Sequence, residues 1–158
     1  MTHKEFRLFF NEKISAVYPK AEVDSLYVQL MEFALNMSHA EMIIKSDEII
    51  GKHKLKNLLE YITRLEKKEP IQYIIGQVNF ADVPINVNNH VLIPRPETES
   101  LVYWIKEQEQ QNPSVLDICT GSGCIAFALE KHLHAKVNAW DISHKALQFA
   151  KQTAKAIG

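Results

Sequence analysis

The residues best suited to chemistry lie in one run, Asp117-Ile118-Cys119-Thr120-Gly121-Ser122-Gly123-Cys124-Ile125-Ala126. The apolar residues on either side predict a buried strand that turns through two glycines into a helix. Glycine allows positive φ and lets a ligand approach the backbone closely, and the free N–H groups at a helix start offer hydrogen bonds to it. Twenty residues after Gly121 stands Asp141, at the carboxyl end of the next expected strand. A carboxylate there can accept both hydroxyls of a ribose. Together these features predict an adenosine cofactor.

Gly121, Gly123 and Ala126 also satisfy the dinucleotide pattern, so a nicotinamide cofactor competes with S-adenosylmethionine. Asp117 discriminates between them. A carboxylate near the end of the first strand repels a pyrophosphate, whereas it attracts a ligand that carries an ammonium and a sulfonium. The residues therefore favour the sulfonium ligand. Without Asp141 the glycine pair is a plain strand-to-helix turn, and Asp117 alone is equally a carboxylate that bonds to its own loop.

Other reactive types are sparse. Cys119 and Cys124 are the only cysteines and do not form a C-x-x-C, so packing around the turn explains them better than redox chemistry. His132 and His134 flank Leu133 at a helix end, where histidine meets the helix dipole favourably, and no third ligand stands nearby. No metal site is expected. Trp140, just before Asp141, reads most simply as core, although its ring could form one side of an adenine slot. Lys52, His53, Lys54, Lys56, Arg64, Lys67 and Lys68 give one helix a basic side, which is either a solvated face or a contact for an acidic partner.

Several elements must hold these residues. Thr2 and Glu5 have capping-box spacing ahead of Phe6, Phe9, Phe10, Ile14 and Val17, which share one helical face. Val23, Leu26, Tyr27, Leu30, Phe33, Ala34 and Met37 predict a longer, more buried helix. Ser38 and Glu41 restart the chain in a short third one, and Leu55, Leu58, Leu59, Ile62 and Leu65 stripe a fourth that ends at Glu69-Pro70. From Ile71 the period changes, and residues 77–80 and 83–87 predict a hairpin around Ala81-Asp82, with Gly76 as a hinge before it. Pro94-Arg95-Pro96 is rigid and extended. Glu97-Thr98-Glu99 then opens a helix whose Leu101, Val102, Trp104 and Ile105 are expected to face inward, with a polar exit at residues 108–112. Residues 113 onward alternate strand and helix, the start of a doubly wound parallel sheet, with Gly158 past the last helix.

Composition agrees with this reading. Of 158 residues, 46% are hydrophobic and 23% charged, enough to build a core and too apolar for disorder. The 18 basic and 19 acidic residues give a formal charge of −1, so nothing draws the whole molecule to nucleic acid or to an anionic membrane. No apolar h-region follows Met1 and no long apolar run occurs. With two cysteines, the cytoplasm is the expected compartment. Three segments result: a helical bundle over 1–69, a β-hairpin and linker over 70–96, and over 97–158 the first part of a sheet domain. Two parallel strands are too few for a complete crevice, so this last segment reads as cut short.

Three blocks of the sequence carry a resemblance. Glu69-Pro70-Ile71-Gln72-Tyr73-Ile74-Ile75-Gly76 is followed by Phe80, then by Val91-Leu92-Ile93-Pro94-Arg95-Pro96-Glu97-Thr98-Glu99, then by the run from Val115 to Ala126. This closely resembles the PrmC (HemK) family of peptide chain release factor glutamine methyltransferases. The specific match runs from about Glu69 to Lys151, and the Ile-Pro-Arg-Pro-Glu-Thr-Glu run is its most selective part. The resemblance implies an α/β fold with an amino-terminal helical bundle that docks the release factor and a Rossmann-like sheet domain of the S-adenosylmethionine-dependent type. It implies methylation of the glutamine in the release factor's Gly-Gly-Gln motif. Thr120, Gly121, Ser122, Gly123 and Cys124 would wrap the methionine part of the cofactor, Asp141 would hold the ribose, and Asp117 would lie near the amino group. Arg95, Pro96, Glu97 and Thr98 would line or orient the reactive side.

One departure limits what the 158 residues can do. The family's Asn-Pro-Pro-Tyr motif, which aims the target amide, does not occur in them, so no catalytic residue is assigned and the chain by itself is expected to be inactive. Two alternatives stay open: a non-catalytic module that binds release factors, and an amino-group methyltransferase acting on nucleic acid. The lack of a basic, aromatic-interleaved stripe weighs against the second, and direct nucleic-acid binding is not expected.

Overall fold

The computed structural model describes residues 1–108 and 112–157. The middle of the polar exit at 108–112 and the cap at Gly158 lie outside the described residues. The chain divides into two compact units, Met1–Ile75 and Gly76–Gly158.

The first unit is helical: α1 (His3–Ile14), α2 (Lys20–Leu35), α3 (His39–Ile44), α4 (Lys52–Glu66) and α5 (Ile71–Ile75). Both expected capping boxes form, Thr2 with Glu5 ahead of α1 and Ser38 with Glu41 ahead of α3. Each satisfies two N–H groups that a helix start otherwise leaves open. Phe6, Phe10, Ile14, Leu30, Leu58 and Leu65 are buried together in one core. The rings of Phe10 and Tyr27 meet edge to face at 5.4 Å, the arrangement that ring quadrupoles favour. Phe33 and Leu59, expected inside, lie at the edge and are half exposed. The change of period expected at Ile71 is instead one helical turn and a half, α5, which buries Ile71 and Ile74. It is fixed by Arg64, which donates through Nε to Glu69 Oε2 (2.8 Å) and through Nη2 to the carbonyl of Tyr73 (3.2 Å).

In the second unit, β1 (Gln77–Phe80) pairs antiparallel with β2 (Val83–Asn86), with Phe80 opposite Val83 around the expected Ala81-Asp82 turn. After α6 (Pro96–Gln108), β3 (Ser114–Ile118), α7 (Cys124–Leu133) and β4 (Lys136–Trp140) make one parallel βαβ unit, followed by α8 (His144–Ile157). The register sets Asp117 beside Ala139 and Ile118 beside Trp140. This is the repeating unit of a Rossmann-like sheet, and the fold class is α/β.

Side-chain orientation departs from expectation on α6 and β4. Of the four α6 residues expected inside, only Val102 is fully buried, and Leu101 and Trp104 are exposed. Trp140 is not core: it is 63% exposed, on the same sheet face as exposed Leu116 and Ile118. Nothing among the described residues covers that face.

Candidate functional site

β3 ends at Ile118, and the chain then crosses three positive-φ residues, Cys119 (64°), Gly121 (56°) and Gly123 (81°), before α7 begins. These left-handed steps fold the strand end back so that the Gly123 N–H donates to the Thr120 carbonyl (2.8 Å). The two glycines serve different ends. A Cβ on Gly121 would meet nothing within 4 Å, whereas one on Gly123 would lie 2.6 Å from Cε2 of Phe127. Gly121 thus faces open space, and Gly123 makes room for a ring one turn along α7.

Hydrogen bonds join the turn to both strand ends. The Thr120 hydroxyl donates to Asp117 Oδ2 (2.7 Å). The Gly121 N–H donates to Asp141 Oδ2 (2.8 Å), and the Ser143 N–H donates to Asp141 Oδ1 (2.8 Å). The Thr120 N–H donates to the Trp140 carbonyl (2.9 Å), which ties the turn to the end of β4. Two carboxylates at the carboxyl ends of neighbouring parallel strands are thereby held on one open glycine turn. Each oxygen so used keeps a second lone pair for a further donor. Thr120 and Ser122 are buried, while Asp117, Gly121 and Asp141 are partly accessible.

Asp117, Thr120, Gly121, Ser122, Gly123, Cys124 and Asp141 thus form one contiguous group. Burial, chiefly, pushes the Cys124 thiol above its usual range, against a hydrogen bond with Ser122, and so disfavours the thiolate. Arg95, Pro96, Glu97 and Thr98 stand apart at the start of α6, where the Thr98 N–H donates to the Arg95 carbonyl (3.0 Å). Arg95, Pro96 and Glu97 are exposed. No hydrogen bond among the described residues joins these four to the glycine turn. No group of His, Cys, Asp and Glu among the described residues is arranged to hold a metal ion, and none of their helices is long and apolar enough to cross a membrane.

Two contributors escaped the sequence reading. Ser143 fixes Asp141 through its N–H and caps α8 through its hydroxyl, which accepts from the Ala146 N–H (3.2 Å). The Asp-x-Ser spacing ahead of an amphipathic run is the signal that finds it. Phe127 has no such signal, because its role exists only once the turn brings Gly123 over its ring.

Comparison with known proteins places this geometry. Residues 14–76 match the model of the PrmC N-terminal domain, and residues 95–156 match that of ribosomal protein L11 methyltransferase (PrmA). A release factor glutamine methyltransferase of Flavobacterium psychrophilum is 36% identical over 160 residues, covering 98% of this chain and 56% of the relative. That of Bacteroides thetaiotaomicron is 40% identical over 145 residues, 91% of this chain and 52% of the relative, and that of Streptococcus pneumoniae is 40% identical over 152 residues, 94% and 54%. The chain spans about half the length of the curated relatives it matches. With a PrmC amino-terminal domain, a methyltransferase-type βαβ segment and this degree of identity over nearly all its residues, the chain corresponds to the amino-terminal portion of release factor glutamine methyltransferases.

Proposed function

We propose that the protein, at the full length of its family, methylates the side-chain amide nitrogen of the glutamine in the Gly-Gly-Gln motif of peptide chain release factors, in the cytoplasm, with S-adenosylmethionine as donor. The observation that carries this reading is the similarity to release factor glutamine methyltransferases over 98% of the chain.

The residues present fit that donor. Asp141 has both carboxylate oxygens fixed by backbone N–H groups, of Gly121 and Ser143, and retains lone pairs for two adjacent ribose hydroxyls. Asp117, oriented by the Thr120 hydroxyl, offers a negative charge to an ammonium. The open space at Gly121 lets a ligand lie against the backbone from Thr120 to Cys124. Arg95, Pro96, Glu97 and Thr98 are assigned to the reactive side on the resemblance alone. When bound, S-adenosylmethionine supplies a methyl group activated by its sulfonium.

An amide nitrogen is a poor nucleophile because its lone pair is delocalised into the carbonyl. Transfer to it depends on aiming the nitrogen at the methyl carbon, a positioning effect. The residues expected to do this, Asn-Pro-Pro-Tyr, do not occur in the 158 residues. We therefore assign these residues to holding the donor and docking the release factor, the latter through the helical unit.

Calorimetric titration of the full-length protein tests the cofactor assignment. S-adenosylmethionine is expected to bind and NAD not to, and Asp141→Asn should weaken binding at least tenfold, because an amide can accept at one oxygen only. Tighter binding of NAD, or unchanged affinity in Asp141→Asn, would contradict it. The isolated 158-residue chain should transfer no methyl group, and measurable transfer would show that aiming residues lie within it.

A further inference from the structure

The first unit holds a pocket of about 220 Å³ that the cofactor turn does not use, lined among others by His3, Lys45, Glu48, Ile49, Gly51 and Lys54. Gly51 and Lys54 bring the amino end of α4 into its lining, and the first turn of this 15-residue helix carries cations where acidic residues are usual. Its N-cap is Gly51, which makes no side-chain cap bond, and its first turn contains no acidic residue. Lys52, His53 and Lys54 occupy that turn instead. Cations at a helix amino terminus oppose the helix dipole, and the open N–H groups there favour an anion. α1 and α3 of the same unit, by contrast, both start with complete capping boxes.

A second observation points the same way. The His3 side chain lines this pocket and is only 6% exposed, yet its Nδ1 is buried with no hydrogen-bond partner among the described residues. Leaving such a group unsatisfied costs free energy on folding. Burial, the largest cause, holds the His3 pKa below its ordinary value; Glu48 opposes this and Lys45 and Lys54 add to it. The ring stays in place because the His3 N–H donates to the Glu48 carbonyl (3.1 Å) and Thr2 bridges Ile49.

The chain on either side of the lining residues Lys45 and Glu48 exposes apolar side chains. Ile43 and Ile44, which directly precede Lys45, are 66% and 79% exposed, and Ile49 on the pocket wall is 77% exposed. A free inorganic anion has no use for three bare isoleucines, whereas a protein segment with an acidic side chain among apolar ones satisfies both features.

We infer that this pocket receives an acidic side chain of the release factor, seated against Lys54 and the amino end of α4, Lys45 being paired with Glu41 (3.4 Å), while apolar neighbours in the same segment cover Ile43, Ile44 and Ile49. The inference rests on the reading that the helical unit docks a release factor, and it identifies the surface. The cations speed and orient the encounter, and the isoleucines supply the area removed from water.

The test is calorimetric titration of a release factor into the protein expressed from its complete gene. Lys54→Glu and Ile44→Ser are each expected to weaken binding at least tenfold, Lys20→Glu on the same unit to leave it unchanged, and all three to unfold at the wild-type temperature. Wild-type affinity in Lys54→Glu and Ile44→Ser would overturn this surface and leave release-factor docking intact. Equal weakening by Lys20→Glu would show a general charge effect and also overturn it. No binding by the wild-type protein would overturn the docking reading itself. Self-association in sedimentation that Ile44→Ser abolishes would assign the face to a second copy and contradict the proposal.

Discussion

Gly121 and Gly123 are two residues apart in a left-handed turn, yet a methyl group at each meets a different surrounding. Both positions penalise an L-residue by about 1 kcal/mol through φ alone. Gly121→Ala should cost that much stability, since its Cβ enters open space, and should lose cofactor affinity, since that space is where we assign the ligand. Gly123→Ala should cost more, because the Phe127 ring must move, and in a Phe127→Ala background the excess should vanish. Chemical denaturation of the four variants measures this, and equal costs in both backgrounds would contradict it. The positions of Asp117 and Asp141 were legible from spacing alone, since strand length and the 20-residue separation of Asp141 from Gly121 bring both carboxylates to one edge. Ser143 was legible in principle through its capping offset. Phe127 was not, because an i,i+4 contact with a glycine leaves no mark on composition or period.

At the scale of elements, the Arg64–Glu69 pair joins the end of α4 to α5, and its side chains are about one-third exposed. The hydrogen bond from Arg64, above all, holds the Glu69 carboxyl below the usual carboxylate range, and Glu69 in turn raises Arg64. A lowered folded-state pKa gives stability that is present above the unfolded value of about 4.3 and lost as pH falls through the folded one. Glu69→Gln should therefore cost about 1 kcal/mol at neutral pH, and the gap to wild type should close below about pH 4. A gap independent of pH would contradict this account. In the hairpin, Ala81 and Asp82 both take positive φ, 45° and 63°, without a glycine. Their carbonyls are met from α7, where Lys131 Nζ donates to Asp82 (2.6 Å) and His132 Nε2 lies 2.9 Å from the Ala81 oxygen. Asp82→Gly should relieve the turn and raise stability by about 1 kcal/mol in thermal or denaturant unfolding; a loss would show that the strain is illusory. Sequence period located the long helices and the hairpin because each buries a regular face. It missed α5, five residues being too few to show a period, and it turned α6 inward because apolar spacing alone cannot reveal that only Val102 finds a covering surface.

The whole molecule pairs a helical unit whose core is closed with a sheet unit that leaves Leu116, Ile118 and Trp140 bare. That contrast explains why burial was read correctly for Phe6 and Leu58 and incorrectly for Trp140: an apolar residue in a strand predicts a partner, and among the described residues this face has none. The division of roles that we propose follows the same line, with the carboxylates of the βαβ unit holding the donor and the helices carrying the release-factor surface. Transfer of labelled methyl from S-adenosylmethionine to a release factor by the protein expressed from its complete gene tests that account most directly. It predicts label on the glutamine of Gly-Gly-Gln and none when that glutamine is replaced by alanine. Absence of label on the wild-type release factor, or label that persists after the replacement, would contradict it.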